Sequence, residues 1–171
     1  DKLLEKEADS VFIAGMGGRL VIKILSDHFD KVRGLKEIIL PESLKKINTG
    51  AFFNCTALEK ITFPDSVEEI EIGAFIGCIN LKTVENMDNI KKISEAAFYG
   101  CIKLNNVKIS SNTQYIGGGV FQDCISLTTL QLDNNPNYKI ENQLILSKDG
   151  KVCGIKLQKM MLGEPLSSSS V

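Results

Sequence analysis

Four cysteines of this chain recur at a constant interval of 23 residues: Cys55, Cys78, Cys101 and Cys124. A phenylalanine stands three places before each of them: Phe52, Phe75, Phe98 and Phe121. A fixed period of this length indicates one structural unit written several times, because such a unit is too small to bury its apolar side chains alone. The sequence therefore predicts a solenoid over most of the 171 residues.

The first part of each unit has the pattern of a short strand. Apolar residues stand at its first and fourth places, and usually at its sixth, as in Leu58, Ile61 and Phe63. Near-alternation over five or six residues indicates a strand with one buried face. Pro41 and Pro64 end the strand in the first two units, because proline has no N–H for the ladder.

The second part of each unit contains a further buried point and a turn. The buried point is an isoleucine in every copy: Ile47, Ile70, Ile93 and Ile116. For the G-A-F-x-x-C stretch that follows we expect a tight turn of α- or 3₁₀-helix, in which glycine permits close backbone approach. Stacked copies would bury Leu, Ile, Phe and Cys in continuous columns, with about 4.8 Å per rung.

The repeated pattern resembles the BspA-type leucine-rich repeats, L-x-x-I-x-(I/L)-P-x-S-(V/L)-x-x-I-x-x-x-A-F-x-x-C, closely over residues 35–126 and more loosely over 127–157. The resemblance implies an α/β fold, a leucine-rich-repeat solenoid of about five 23-residue rungs with short strands and helical or 3₁₀ turns. Residues 134–151 are similar to the end unit of that family, in which N-x-x-Y and a short hairpin close the stack. We therefore expect the solenoid at 35–157 and its end unit at 127–157.

Two copies depart from this pattern at buried places. Asn86 occupies an apolar place and Met87 the proline place, and we expect a local shift of the loop, because an unsatisfied buried Asn86 would be costly. Thr113 stands where the other copies carry an apolar residue, which predicts a weaker second buried edge in the fourth copy.

Charge is balanced both overall and along the repeat. The net charge is −1, so nothing directs the whole chain towards nucleic acid or an anionic membrane. No apolar run approaches the ~18 residues of a membrane-spanning helix. Charged pairs occupy the same two places in successive copies: Lys45-Lys46, Glu68-Glu69 and Lys91-Lys92. Because their sign alternates, we predict ion pairs between neighbouring rungs and a solvated surface, not a charged binding patch.

The cysteine spacing argues against metal and disulfide sites. Zinc ligands gather in C-x₂₋₄-C pairs, whereas these thiols occur once per rung, and His28 is the only histidine. Parallel side chains in phase do not readily reach a disulfide dihedral near 90°. We predict buried thiols that pack as small apolar residues, and no cofactor.

We expect residues 1–34 to lie outside the repeat. Residues 10–14 predict a buried strand, 15–18 a glycine loop, 19–25 an amphipathic helix and 35–40 the next strand. Such a strand–loop–helix–strand unit is the local form used by nucleotide-binding α/β proteins. The helix would also cover the open end of the first rung, as a terminal cap of a repeat stack must.

The stretch A-D-S-V-F-I-A-G-M-G-G-R-L-V-I-K-I-L and the following L-K-E-I-I-L, about residues 8–40, is similar to an interior part of bacterial S-adenosylmethionine-dependent tRNA adenine-N1 methyltransferases. In that family an I-A-G-M-G-G loop lies at the edge of the cofactor and substrate cleft. The resemblance makes four residues candidates for a remnant of a cofactor-binding loop: Gly15, Met16, Gly17 and Gly18. The family's upstream acidic-glycine motif and Asp-His pair are absent, which implies no competent enzyme on this chain alone.

The last residues, 158–171, lose the repeat phase. Gly163, Pro165 and four consecutive serines predict a flexible tail. The chain is thus divided into a segment at 1–34, a solenoid at 35–157 and a tail at 158–171.

The function that follows from a repeat stack is non-catalytic binding of another protein. Such stacks offer extended surfaces, and the binding residues lie at exposed strand places between buried ones. Here those places are Glu37, Ile39, Lys60, Thr62, Thr83, Glu85, Asn106, Lys108, Thr129 and Gln131. They form a mixed polar stripe without aromatic anchors. We expect the chain to bind a protein partner as a monomer, and we expect no nucleic-acid binding and no membrane span.

The two resemblances imply different settings. BspA-type proteins are associated with bacterial or protist cell surfaces and with adhesion to host proteins, which implies a surface or secreted protein. The methyltransferase resemblance implies a cytoplasmic fragment or fusion of a tRNA-modifying enzyme that binds S-adenosylmethionine. The abrupt change of pattern near residue 34 leaves a third reading open, a rearranged reading frame without selected function.

Overall fold

The computed structural model of the protein describes residues 10–12, 34–141 and 144–152. Within these ranges the chain forms twelve strands and no helix. The strands are β1 (Ser10–Phe12), β2 (Glu37–Ile39), β3 (Lys46–Ile47), β4 (Lys60–Thr62), β5 (Glu69–Ile70), β6 (Thr83–Glu85), β7 (Lys92–Ile93), β8 (Asn106–Ile109), β9 (Tyr115–Ile116), β10 (Thr129–Leu132), β11 (Tyr138–Glu141) and β12 (Leu144–Ser147).

Two parallel sheets run along the molecule. The first has the order β1-β2-β4-β6-β8-β10 and the second β3-β5-β7-β9, so each coil gives one strand to each sheet. The register places Ile38 beside Ile61 and Ile61 beside Val84, so equivalent residues of successive copies are neighbours. The predicted solenoid is confirmed, and the described residues form four complete coils instead of about five, because the fifth copy contributes only β10 to these sheets.

Columns of identical side chains fill the space between the sheets. The four phenylalanine rings stack in file, with centroids 4.9 Å apart for Phe52 and Phe75, 5.1 Å for Phe75 and Phe98, and 5.6 Å for Phe98 and Phe121. All four rings are buried. Each stacked pair contributes about 0.5–1.5 kcal/mol beyond the burial of its area.

The cysteine column lies beside the rings, and its four thiols are buried and form no disulfide with one another. The Sγ of Cys78 donates to the Phe52 carbonyl of the preceding coil at 3.0 Å, and Cys101 donates to the Phe75 carbonyl at 3.2 Å. Burial raises the pKa of the Cys101 thiol well above its usual value, so the thiol keeps the proton that it donates. For the four repeat cysteines the predicted buried thiols are confirmed.

The G-A-F-x-x-C stretch is not helical, and the prediction of α- or 3₁₀-helical turns is wrong. In the first coil the amides of Ala51 and Phe53 donate to carbonyls three residues earlier. The amides of Gly50, Phe52 and Asn54 donate instead to carbonyls of the next coil, at 2.7–3.1 Å. A 3₁₀-helix needs successive amides to bond within the same segment, so this alternation produces a series of turns.

The loop of the third copy shifts as expected. Asn86 has a left-handed backbone with φ 58°, which turns its side chain outwards and places Met87 in the buried position. Its Nδ2 donates to the Phe63 carbonyl at 2.7 Å and to the Asp65 carboxylate at 2.8 Å. The asparagine is therefore satisfied.

The fourth copy also satisfies its buried polar residue, because the Thr113 hydroxyl donates to the Ile90 carbonyl at 2.7 Å. Next to it, Asn135 and Tyr138 close the end of the second sheet. The buried Asn135 donates to the carbonyls of Ser110 and Thr113, each at 2.8 Å. The Tyr138 hydroxyl accepts the amide of Ile116, at the edge of the sheet, at 2.9 Å.

The chain then forms the antiparallel hairpin β11–β12, which buries Ile145 against the core. At the other end, β1 pairs in parallel with β2, and so a strand is present where residues 10–14 predicted one. The predicted glycine loop, the helix at 19–25 and the tail at 158–171 lie outside the described residues. Of the predicted strand–helix unit, the structure therefore supports only the strand.

Gly117 allows the close approach of two coils. A Cβ at this position would lie 2.4 Å from the backbone nitrogen of Glu95, whereas a Cβ on the adjacent Gly118 would meet nothing within 4 Å. We expect Gly117→Ala to lower the free energy of unfolding by about 1–3 kcal/mol, because the backbone of Glu95 must move. The measurement is urea unfolding followed by circular dichroism.

The matched control is Gly118→Ala, which we expect to stay within about 0.5 kcal/mol of the wild type. Equal stability of the two variants would contradict the observed packing of the third coil against the fourth.

Candidate functional site

The ten candidate residues share one exposed face of the first sheet, which we call the sheet face. Its first row is continuous across five strands: Glu37, Lys60, Thr83, Asn106 and Thr129. The second row joins Ile39, Thr62 and Glu85 on one side and Lys108 and Gln131 on the other. Between β6 and β8 only Thr83 and Asn106 are paired, so the second row is interrupted beside the shifted Asn86 loop.

Two ion pairs neutralise Lys60, Glu85 and Lys108 on the sheet face. The Lys60 ammonium lies 2.9 Å from the Glu85 carboxylate, which also accepts the Thr62 hydroxyl at 3.1 Å. These hydrogen bonds hold the pKa of Glu85 below its usual value, and the bond from Lys60 is the larger cause. Lys108 pairs with Asp133 at 2.7 Å. A partner that depends on a single sign of charge would find little free charge here.

The centre of the sheet face carries no charge, and its polar side chains are available for hydrogen bonds with a partner. The side chains of Thr83 and Asn106 form no hydrogen bond with the described part of the chain. At the first coil, Ile39 is 41% exposed and lines a groove of about 340 Å³ together with Glu37 and Thr62. Ile39 therefore offers an apolar contact on a surface that the sequence indicated to be mainly polar.

Three further ion pairs join neighbouring coils, in line with the alternating signs of the sequence. Lys82 lies 2.6 Å from Glu59, Lys91 lies 2.9 Å from Glu68, and Lys46 lies 2.9 Å from Glu71. In each case the hydrogen bond from the lysine is the main cause that lowers the pKa of the glutamate.

These pairs make stability depend on pH. A carboxyl group whose pKa is lowered by folding stabilises the native state above its unfolded pKa, and this contribution is lost as the pH falls through the folded value. We therefore expect the urea midpoint to fall steadily as the pH is lowered from about 6 to about 3, since unfolded glutamate titrates near ~4.3. Unfolding curves at several pH values measure this.

The control is the same series in about 1 M NaCl, where screening of exposed pairs should flatten the dependence. A midpoint that stayed constant or rose on acidification at low salt would contradict the role of these pairs.

A column of exposed apolar residues on the turn side was missed by the sequence analysis. Ile79, Ile102 and Ile125 follow the cysteine of three successive copies and are 39–47% exposed. The backbone bond from Ser126 to the Ile102 carbonyl, at 3.1 Å, shows that successive coils are adjacent here. The signal was available, because isoleucine stands in the same place of three copies.

The structure does not test the candidate cofactor-binding residues. Gly15, Met16, Gly17 and Gly18 lie outside the described residues. Within the described ranges no group of His, Cys, Asp and Glu side chains is arranged to hold a metal ion. The same part of the chain contains no helix long and apolar enough to cross a membrane.

Two parallel sheets, joined once per 23-residue coil by turns with a buried phenylalanine, define a leucine-rich-repeat solenoid. Residues 22–147 match the BspA type leucine rich repeat region, in six copies. The chain belongs to the BspA-type leucine-rich repeat family. No curated protein matches it.

Two solved structures resemble the chain. A leucine-rich repeat protein from Eubacterium ventriosum has a TM-score of 0.54 and 19% identity, over 82% of this chain and 44% of that chain. A leucine-rich repeat protein from T. pallidum has a TM-score of 0.46 and 23% identity, over 74% of this chain and 65% of that chain. The chain spans less than two thirds of either, and the likeness to the first concerns the fold alone.

The family match begins inside the segment that the sequence analysis set apart from the repeat. A missed signal explains this, because Ile24 and Phe29 stand 23 residues before Ile47 and Phe52. Nothing in the structure or in these matches supports the resemblance of residues 8–40 to a methyltransferase.

Proposed function

We propose that the chain is a non-catalytic module that binds another protein through its sheet face. One observation carries this proposal: the first row of outward side chains is in continuous register across five strands. Side chains at equivalent strand places are the usual contact residues of repeat stacks.

A rigid scaffold supports such a role. The backbone of the sheet is bonded on both sides in every strand between β1 and β10, so the face is already ordered before a partner arrives. Binding to an ordered face loses less conformational entropy than binding to a mobile loop.

The distribution of charge indicates where binding energy would be concentrated. Lys60 and Lys108 are engaged by Glu85 and Asp133, whereas Thr83 and Asn106 are free to bond with a partner. Neutral hydrogen bonds at the centre make the interaction only weakly dependent on salt.

The finer role that follows from the family resemblance is adhesion at a cell surface, with a host protein as partner. This role rests on the repeat type alone. It agrees with a surface whose polar residues are spread over several coils instead of converging on a catalytic centre.

The double variant Thr83→Arg, Asn106→Arg tests the sheet face. Two added guanidinium groups at the centre would block a neutral partner surface, while no existing side-chain hydrogen bond is removed. We expect binding to weaken at least tenfold, about 1.4 kcal/mol or more. The partner is identified by quantitative mass spectrometry of proteins captured by the wild type, and its affinity is then measured by biolayer interferometry.

The matched control is Thr56→Arg, an exposed position on the turn side. Both proteins should unfold at the wild-type urea midpoint within error. A partner held equally well by the double variant and by the control would show that the sheet face is not the binding surface.

A further inference from the structure

A second surface lies on the side where each coil passes from the first sheet to the second. It is a groove of about 710 Å³, which we call the loop groove. One wall consists of a single polar residue from each of four successive coils: Glu68, Lys91, Gln114 and Asn137. These residues occupy the same place of the repeat, 23 positions apart. Asn89, Ser111 and Asn112 stand on the other side.

The charged residues of the loop groove lie at one end. The Asp65 carboxylate there accepts a hydrogen bond from Asn86 Nδ2 at 2.8 Å. Lys91 lies 2.9 Å from Glu68, and the hydrogen bond from Lys91 lowers the pKa of Glu68, which favours the carboxylate form of this ion pair. The part of the groove beyond Lys91 is lined by amide and hydroxyl groups and by Pro136. A ligand in that part needs no net charge.

Several of these groups are unused by the protein. The side chains of Asn89, Ser111 and Gln114 are exposed and make no hydrogen bond with the described residues. Asn112, in contrast, is held in place by a bond from its Nδ2 to the Asp88 carbonyl at 2.9 Å. The groove thus combines a fixed frame with free donors and acceptors.

The chemistry of these groups matches a peptide backbone. A side-chain amide carries both a carbonyl acceptor and an NH₂ donor, which are complementary to the N–H and C=O of a peptide unit. The wall from Glu68 to Asn137 spans three coil spacings, about 14 Å at about 4.8 Å each. An extended chain advances about 3.3 Å per residue, so about four residues fit.

We propose that the loop groove binds an extended, uncharged peptide segment through hydrogen bonds from Asn89, Ser111 and Gln114 to its backbone. A saccharide is the less favoured occupant, because the described lining contains no aromatic ring for the apolar face of a sugar. The three residues proposed to bind the peptide are not among the ten of the sheet face, and the proposal does not depend on the function proposed there.

The test begins with a phage library of random hexapeptides selected on the wild-type protein. Recovered peptides are synthesised and titrated into ¹⁵N-labelled protein, and the side-chain NH₂ signals of Asn89 and Gln114 are followed by NMR. We expect both signals to shift. We also expect the variant Asn89→Ala, Gln114→Ala to bind at least tenfold more weakly, because two exposed amides are lost without any bond inside the protein.

The variant Thr83→Arg, Asn106→Arg serves as control and should bind the peptides as the wild type does, which separates this site from the sheet face. Failure to recover peptides, shifts confined to other residues, or equal affinity of the Ala variant would each overturn the proposal. Maltohexaose is titrated in parallel, and shifts of the same two amides by the sugar, without peptide binding, would assign the groove to saccharides instead.

Discussion

Hydrogen bonds between the turns of neighbouring coils are the constraint on which the rest of this fold depends. In three successive junctions, alternate amides of the G-A-F-x-x-C stretch donate to the next coil, as those of Phe52, Phe75 and Phe98 do. These bonds set the spacing of the coils and stack each phenylalanine ring on the ring of the preceding coil. They require a left-handed residue at the start of each turn, which is glycine at Gly50, Gly73 and Gly119 and Ala96 in the third coil. Alanine in this conformation costs about 1 kcal/mol, which the third coil tolerates because its neighbours fix the geometry.

The same stacking determines what the surface can offer. Because like residues are neighbours, a polar place in the repeat becomes a polar row, and an alternation of sign becomes a series of ion pairs such as Lys82 with Glu59. Polar side chains that make no hydrogen bond with the described residues are found where the repeat places neutral residues. This occurs at the centre of the sheet face, at Thr83 and Asn106, and in the loop groove near Gln114. Both surfaces are therefore products of small departures from a uniform repeat.

The period, the strands and the buried columns could be predicted from the sequence, because a 23-residue repeat of Phe and Cys admits few other solutions. The turn conformation could not, since G-A-F-x-x-C is compatible with a helix unless the competition of the next coil for its amides is known. The shift at Asn86 was foreseen because a buried amide without partners is costly, but its left-handed backbone was not. The sheet face was assembled from the strand places alone, whereas the loop groove joins two places of the repeat that become neighbours only in three dimensions.

The central claim is that successive coils superimpose, and NMR of the protein with labelled phenylalanine tests it most directly. The account predicts nuclear Overhauser contacts between the rings of Phe52 and Phe75, of Phe75 and Phe98, and of Phe98 and Phe121, and none between Phe52 and Phe121. Missing contacts between these neighbours, or a direct contact between the first and last rings, would contradict it.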